Sequence, residues 1–456
     1  MLAFAVLLLM NGGTASESAL AHEVSKPNII LILTDDMRAD DLKFTPRTQN
    51  LLGGGGVTFK NAFVTDSICC PSRSTILRGQ YAHNHSILSN HYPLGSGIKF
   101  RELGRDNSTV ATWLHSSGYR TGLFGTYLKF YDGSYVPPGW DDWYGWMGSN
   151  QFNENGQVIA NTSDIHITDR LSNRADAFVR QGVASGEPFF AYIAPTAPHP
   201  PAIPPDRYKD AYPNLVAPRD ASFNERDVSD KMSWVRNHPL LTANEMSGID
   251  SLYRNRARSL LAVDDMVERL VNTLTETGAL ENTYIVFTSD NGFHMGEHRL
   301  PPMKQTAYEE DIRVPLLIRG PGLPAGESRT AFALNNDFAP TFADWADASV
   351  PISVDGRSLS PILSSPLTTG WRTSFLVEKW DTNAMPQSYK AVRTADWTYV
   401  RYSNGEKELY NLSKDPQELR NVAGDTDEKT LHALDYRLDT LKACKATTCR
   451  SAENRP

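Results

Sequence analysis

The chain contains four short runs in which almost every residue is apolar, with no polar alternation, at residues 27–34, 188–194, 283–289 and 314–318. A strand of this kind is buried on both faces, which is typical of the middle of an α/β sheet. Apolar residues spaced three and four apart predict helices between these runs, at 110–117 and 254–277. Strands that alternate with helices indicate an α/β fold with a large, mostly parallel sheet flanked by helices.

The pattern changes after Pro361. Short alternating segments there predict an antiparallel sheet, at residues 373–377, 390–393 and 397–402. The stretch 427–445 predicts a helix that closes the chain. We therefore expect a large domain at residues 22–366 and a smaller C-terminal antiparallel-sheet-plus-helix domain at residues 367–456.

The N-terminal residues have the shape of an export signal. Residues 2–10 are apolar, and small and polar residues follow up to Ala19-Leu20-Ala21. This shape predicts a signal peptide at residues 1–21, although no Lys or Arg precedes the apolar run, and a buried N-terminal strand is the alternative. The run is too short to span a membrane. We expect a protein without a membrane anchor in an exported compartment, which is the exterior, the periplasm or a lysosome-like organelle.

The net charge of the chain bears on its binding partners, and its cysteines bear on the redox state of its compartment. The net charge of −8 argues against nucleic acid as a partner, and an anionic substrate would need a local basic pocket. Of the four cysteines, Cys444 and Cys449 lie close together near the C-terminus. In an oxidising compartment they could form a disulfide, and two free surface thiols are the alternative.

Two of the apolar runs end in oxygen-bearing side chains. Asp35 and Asp36 follow the first run, and Asp290 and Asn291 follow the third. Parallel strands deliver their carboxyl ends to one edge of a sheet, so the two pairs could meet around one ion. Oxygen ligands suit calcium or magnesium and do not suit zinc. Each pair taken alone is equally typical of a turn.

The decisive motif is Cys69-Cys70-Pro71-Ser72-Arg73, with Gly79 ten residues after the first cysteine. It resembles the signature of the formylglycine-dependent sulfatases of the alkaline phosphatase superfamily, in which the cysteine matching Cys69 is oxidised to formylglycine. A buried reduced cysteine pair and a vicinal disulfide are the alternatives. The resemblance continues through residues 290–294, 314–322 and 408–416. Within the family, the motif together with residues 81–85 looks most like the N-acetylglucosamine-6-sulfatases and the heparan endosulfatases.

The resemblance implies a site and a reaction. Calcium would be held by the formylglycine at position 69 and by four further residues, Asp35, Asp36, Asp290 and Asn291. Arg73 would steady the formylglycine, and His199 and Lys304 would contact the sulfate and the leaving oxygen. One hydroxyl of the hydrated aldehyde would attack sulfur, and the second would let the aldehyde re-form as sulfate leaves. The implied substrate is a sulfated small molecule or glycan, and a formylglycine-generating enzyme is the implied maturation partner.

One segment departs from the family pattern. Where sulfatases usually carry Gly-Lys-Tyr or Gly-Lys-Trp, this chain has Gly125-Thr126-Tyr127, so Thr126 replaces the lysine that contacts sulfate. Lys129 is the candidate replacement, although a continuous strand would point it to the face opposite Thr126. Many members have a histidine at the position of Leu128, and His85 is the candidate substitute, with a plain loop histidine as the alternative.

Three other functions compete with sulfate-ester hydrolysis. A phosphonate or phosphodiester hydrolase of the same superfamily would use the same formylglycine, and the lost lysine favours a less charged ester. A secreted glycan-binding protein that has lost catalysis would not need the intact signature at Cys69. A structural protein would leave the polar strand ends unexplained.

Overall fold

The computed structural model describes residues 26–148, 150–162, 164–366, 369–380 and 387–455. The predicted signal peptide at residues 1–21 lies outside the described residues. The predicted domain boundary at residue 367 also falls outside them.

Sixteen strands are present among the described residues. In chain order they are β1 Asn28–Thr34, β2 Val57–Phe59, β3 Ala62–Phe63, β4 Arg120–Thr126, β5 Asp142–Gly148, β6 Gln151–Glu154, β7 Gln157–Ala160, β8 Phe189–Ala194, β9 Thr283–Ser289, β10 Leu316–Arg319, β11 Glu327–Arg329, β12 Ala333–Leu334, β13 Ser374–Lys379, β14 Tyr389–Thr394, β15 Trp397–Tyr402 and β16 Lys407–Asn411.

Ten of these strands form one sheet, in the order β11-β2-β10-β9-β1-β8-β4-β5-β6-β7. The five central strands, from β9 to β5, are parallel to one another. Strand β10, which the apolar run at 314–318 predicted, is instead antiparallel to β9. The sheet is therefore parallel at its centre and mixed at its edges.

Thirteen α-helices are found in the described part of the chain. They are α1 Pro46–Thr48, α2 Cys69–Arg78, α3 Ala82–His85, α4 Ser96–Glu102, α5 Val110–Ser116, α6 Ile167–Ser185, α7 Ser233–Arg236, α8 Ala243–Glu276, α9 Glu309–Ile312, α10 Phe338–Trp345, α11 Ser360–Ser364, α12 Glu428–Leu441 and α13 Thr447–Glu453.

The central strands are buried on both faces because helices cover each side of the sheet. Alternate residues of β1 belong to different cores: Leu31 packs with residues of α2, α5 and α10, whereas Ile32 packs with residues of α6 and α8. This arrangement explains why the run at 27–34 has no polar alternation.

The C-terminal part is a four-stranded antiparallel sheet, in the order β13-β14-β15-β16, and α12 packs against it. A disulfide joins Cys444 to Cys449, directly after α12, so the predicted pairing is confirmed. The predicted fold class, a large helix-flanked sheet plus a small antiparallel unit with a helix, is confirmed as well.

The C-terminal residues also hold the segment that follows α2. The phenol of Tyr81 donates to Glu453 at 2.6 Å. His83 Nε2 and Asn84 Nδ2 lie 2.9 and 3.1 Å from the carbonyl oxygen of Cys444. The short helix α3 is thereby tied to the disulfide loop. No helix among the described residues is long and apolar enough to cross a membrane.

Candidate active site

The polar ends of β1 and β9 meet at one edge of the sheet. These strands are neighbours, with Thr34 opposite Ser289, so the residues that follow them lie side by side. The backbone N–H of Asp36 donates to Asp290 Oδ1 at 3.1 Å. Carboxylate oxygens of Asp35, Asp36 and Asp290 all lie within 4.8 Å of one another. The strand ends therefore form one acidic cluster, as the sequence predicted.

Two oxygens of this cluster, Asp36 Oδ2 and Asn291 Oδ1, are buried and accept no hydrogen bond from the described part of the chain. Asn291 Nδ2 donates to Asp36 Oδ1 at 2.7 Å, which keeps the amide oxygen turned away from Asp36. Burying unpaired acceptors beside several carboxylates is costly unless a cation binds them. The oxygen-only donor set fits a hard divalent cation such as calcium.

Cys69 is the first residue of α2 and lies beside the acidic cluster. Its thiol is 3.7 Å from Asp35 Oδ1, and the ammonium of Lys304 donates to its sulfur at 2.8 Å. Burial raises the pKa of the Cys69 thiol well above its ordinary value; Lys304 opposes this shift, and the nearby carboxylates add to it. As an unmodified cysteine, the residue is therefore held as a thiol.

The neighbouring Cys70 faces the hydrophobic core and is fully buried. Its backbone N–H donates to Asn90 Oδ1 at 2.8 Å. Both cysteines are free, so the pair does not form a vicinal disulfide. Helix α2 ends at Gly79, whose φ of 65° is the left-handed conformation that glycine adopts most readily.

Arg73 ties three strand ends together from within α2. Its guanidinium donates to Asp290 Oδ2 at 2.7 Å, lies 3.2 Å from Asp35 Oδ2, and donates to the carbonyl of Thr126 at 2.8 Å. Burial alone would lower the pKa of Arg73, but the charges of Asp290 and Asp35 outweigh it and raise the pKa. The side chain is fully buried, so its charge acts with little screening by solvent.

Lys304 and His199 flank the acidic cluster on the side of Asp36. Lys304 forms an ion pair with Asp36 Oδ1 as well as its contact with Cys69. Burial would lower the pKa of Lys304, but Asp36 and Cys69 outweigh it and hold the pKa well above its usual range. His199 Nε2 is 3.7 Å from Asp36 Oδ2, and its Nδ1 lies 2.7 Å from the carbonyl of Pro200. That contact orients the ring and leaves Nε2 toward the cluster.

These groups open into a cavity of about 390 Å³, which we call the catalytic cavity. Its wall combines charged groups with aromatic and small side chains, from Asp35, Cys69, Arg73, Thr126, Leu128, Lys129, Phe130, Tyr131, Trp146, Met147, Gly148, Thr196 and His199. A carboxylate cluster and several cations around one reactive side chain suit a reaction in which negative charge develops on an ester.

The sequence matches the sulfatase family over residues 27–348, which is more than half of the chain. The chain belongs to the sulfatase family. Residues 296–443 also match the family described as N-sulphoglucosamine sulphohydrolase, C-terminal. This sulfatase is therefore a sulfuric ester hydrolase.

Three known proteins illustrate the relationship. Human N-acetylglucosamine-6-sulfatase is 34% identical, over 98% of this chain and 90% of its own length. A protein solved in complex with its substrate D-glucosamine-2-N,6-O-disulfate has a TM-score of 0.81 at 24% identity, covering 94% of this chain and 99% of its own. The phosphonate monoester hydrolase of Agrobacterium radiobacter has a TM-score of 0.74 at 23% identity, covering 91% and 95%.

The structure of this sulfatase places Lys129 on the wall of the same cavity as Thr126. Strand β4 ends at Thr126, so the strand alternation that would have pointed Lys129 to the opposite face does not extend that far. The side chain of Lys129 is exposed. The hydroxyl oxygen of Thr126 is buried and has no hydrogen-bond partner among the residues that the structure describes.

His85 lies outside the catalytic cavity. It is fully buried at the end of α3, with Nε2 3.0 Å from the hydroxyl of Thr75 and Nδ1 accepting the N–H of Ile87 at 3.1 Å. Burial, with smaller effects from nearby Arg78 and other charges, lowers the pKa of His85 to about 3. It is not among the residues that line the catalytic cavity, and the structure does not bring it to the other predicted site residues.

Several residues of the cavity wall were not identified individually from the sequence, among them Trp146 and Thr196. Both lie at the same edge of the sheet as the acidic cluster, because Trp146 is near the end of β5 and Thr196 follows β8 by two residues. The position of a residue just beyond a central parallel strand was the signal that could have identified them.

Proposed function

We propose that this sulfatase hydrolyses the 6-O-sulfate ester of a glucosamine-type sugar, with calcium bound at the acidic cluster and Cys69 oxidised to formylglycine. The observation that carries the proposal is the position of Cys69, in contact with Lys304 and Asp35 at the wall of the catalytic cavity. The name of the human relative and the substrate solved with the related structure support the choice of sugar.

The residues that fit calcium are Asp35, Asp36, Asp290 and Asn291, together with the modified side chain at position 69. The hydrated aldehyde would supply the hydroxyl that attacks sulfur, and calcium would offset negative charge on the sulfate oxygens. All other roles fall to side chains that the fold already positions. Arg73 holds Asp35 and Asp290 in place, so that their oxygens converge on one point.

Lys304 and His199 are assigned to the sulfate and the leaving oxygen. The ammonium of Lys304 lies 2.8 Å from the sulfur of Cys69. After oxidation and hydration of that residue, it would contact the hydroxyl oxygens that take the place of the sulfur. His199 Nε2 faces the cluster from the cavity wall, where a proton on it would pass to the departing alcohol. Lys129 is assigned to the sulfate as the replacement for the usual lysine, because its exposed ammonium belongs to the same cavity as Thr126.

Maturation would require a formylglycine-generating enzyme as a partner. Cys69 is only 6% exposed in the folded chain, and its sulfur is engaged by Lys304. Such an enzyme would therefore modify the cysteine before folding brings β9 and the segment around Lys304 into contact with it. We also propose an exported compartment, since the disulfide between Cys444 and Cys449 persists under oxidising conditions.

A phosphonate or phosphodiester hydrolase is the second candidate function. It is favoured by Thr126, which leaves the site without the usual lysine at that position, and a phosphonate monoester hydrolase shares the fold. Rates on a sulfate monoester and on a phosphodiester with the same alcohol separate the two functions. Faster turnover of the phosphodiester would overturn the proposal that a sulfate ester is the preferred substrate.

The adjacent cysteines provide a matched pair of variants for the main test. Cys69→Ala should abolish hydrolysis of glucosamine 6-sulfate, whereas Cys70→Ala should retain it, since Cys70 packs in the core. The mass of the tryptic peptide that spans position 69, in protein from its native host, should show an aldehyde at that residue. An unmodified Cys69 in fully active protein would contradict the proposed mechanism.

A further inference from the structure

A second cavity of about 570 Å³ lies directly beside the catalytic cavity. We call it the side cavity; the two share Trp146, Thr196 and His199 as a common wall. The remaining walls of the side cavity come from Asn150 and Asn161, from residues near the start of α6, from Ser259 of α8 and from the loop at residues 197–203. Both cavities have volumes in the range that holds a ligand of several hundred daltons.

The side cavity differs from the catalytic cavity in charge. No Lys, Arg, Asp or Glu is found among the described residues that line it, whereas Arg73 and Lys129 line the catalytic cavity. Apart from the shared His199, its titratable side chain is His166. That ring accepts the N–H of Thr168 at Nδ1, at 3.3 Å, and its Nε2 lies 3.0 Å from the carbonyl of Ile203. Both ring nitrogens of His166 thus have partners within the protein, and the lining offers an anion no Lys or Arg side chain.

The walls combine apolar side chains with a few hydrogen-bonding groups. Ile165 and Ile203 are 37% and 69% exposed, so their apolar surface is available to a ligand in the side cavity. The indole of Trp146 is held edge-on against Phe152, with ring centroids 4.9 Å apart. Asn150 and Ser259 add amide and hydroxyl groups to the lining. A saccharide ring matches this mixture, because its C–H face packs on apolar side chains while its hydroxyls bond to polar ones.

The position of His199 connects the two cavities to the reaction. One of its ring nitrogens lies within 4.8 Å of the sulfur of Cys69 and of Asp35, and its ring forms part of the wall of the side cavity. In an in-line displacement the alcohol departs on the side away from the nucleophile. An alcohol that leaves past His199 is therefore directed to the side cavity.

We infer that the side cavity binds an uncharged saccharide ring joined to the sulfated sugar. This inference rests on the proposed function and narrows its substrate to glycans in which the ring next to the sulfated one carries neither carboxylate nor sulfate. An anionic ring would lose part of its hydration there, and the lining has no Lys or Arg to compensate for that loss.

The test compares three substrates of the intact enzyme: glucosamine 6-sulfate alone, the same sugar linked to a neutral hexose, and the same sugar linked to a uronic acid. The neutral disaccharide should have a KM lower than that of the monosaccharide by about tenfold, the change expected when on the order of 60 Å² of apolar surface leaves water. The uronic acid disaccharide should show no such gain. Equal KM values for the monosaccharide and the neutral disaccharide, or a preference for the uronic acid, would overturn the inference.

Exposed isoleucines allow a matched set of variants. Ile203→Asp should remove the gain of the neutral disaccharide and leave turnover of the monosaccharide within about twofold. Ile352→Asp is the control, because Ile352 is 89% exposed and lies outside both cavities. Ile165→Ala removes apolar surface from the wall without adding charge, and it should also reduce the KM advantage of the neutral disaccharide. This variant replaces Ile203→Asp if the aspartate disturbs the loop. A uniform loss on all three substrates would contradict a binding role, and no hydrolysis of any of them would overturn the proposed function itself.

Discussion

The ammonium nitrogen of Lys304 lies 2.8 Å from the sulfur of Cys69 while it also forms an ion pair with Asp36. One buried cation is therefore shared between Cys69, the proposed precursor of the nucleophile, and a carboxylate of the proposed metal site. This relationship supports the proposed role of Lys304 in the reaction, and removal of its side chain should affect chemistry more than folding.

Lys304→Met should lower kcat by about a hundredfold, because a preorganised charge beside a developing oxyanion is typically worth about 3 kcal/mol. The measurement is single-turnover hydrolysis of glucosamine 6-sulfate. Lys231→Met is the matched control: Lys231 is equally buried, pairs with Glu225, and lies outside the catalytic cavity. It should lower the melting temperature and leave kcat per folded molecule unchanged. Equal kcat losses in both variants would show that the effect is structural.

Variants at Thr126 and Lys129 test whether Lys129 makes the sulfate contact that the usual lysine makes in other sulfatases. If Lys129 has taken over the sulfate contact, Lys129→Ala should lower kcat/KM by about ten- to a hundredfold, since a charge-assisted contact is worth about 1.5–3 kcal/mol. Thr126→Lys should then add little, because it would crowd two cations into one cavity. Lys60→Ala is the control, an exposed lysine away from the catalytic cavity. The double mutant measures the coupling between the two positions. If neither single variant changes turnover, neither position contacts the substrate.

Removal of the metal should be visible without any substrate. Binding of calcium to the folded chain alone should stabilise it by about 2.7 kcal/mol at a hundredfold excess over Kd. A chelator should therefore lower the melting temperature, and added calcium should restore it. In Asp290→Asn the chelator should have a much smaller effect, because one carboxylate of the cluster is gone. An unchanged melting temperature, or recovery with zinc but not calcium, would argue against the proposed site.

His85 should govern part of the acid sensitivity of the fold. Its pKa is about 3 in the folded chain and near 6.5 when unfolded, so the unfolded state takes up the proton first. The contribution of the neutral, buried His85 ring to the free energy of unfolding is intact above pH 6.5. It is lost progressively as the pH falls toward 3. Between pH 7 and pH 5 the loss should be about 2 kcal/mol. The free energy of unfolding of the wild type should fall toward that of His85→Gln over this range. A constant difference between the two proteins would contradict this assignment.

The acidic cluster could be predicted because it depends only on strand order. Two runs that are apolar at nearly every position must lie in the centre of the sheet, and parallel neighbours bring Asp36 and Asp290 to one edge. The start of α8 was missed, since the early residues of Ala243–Glu276 lack a regular apolar stripe. The pair Thr242 and Glu245, which forms a capping box there, was a readable signal.

The position of a single side chain around the site was harder to predict. His85 follows the motif closely in sequence, but the packing of α3 on α2 turns it toward Thr75 and away from the cavity. Lys129, in contrast, lies on the wall of the catalytic cavity. Strand β4 ends at Thr126, so the chain can turn before it reaches Lys129. In both cases the answer depends on where an element ends and how it packs, and periodicity does not specify either to within one residue.

The ties between α3 and the C-terminal residues bear on the order in which the chain acquires its shape during synthesis. Tyr81, His83 and Asn84 are held by Glu453 and the carbonyl of Cys444, partners made about 360 to 372 residues later. Residues 81–84 can therefore make these contacts only after residues 444–453 have been synthesised. Until then α3 and the preceding helix α2, which begins at Cys69, lack these supports, so the proposed oxidation of Cys69 would have its best access before residues 444–453 are in place.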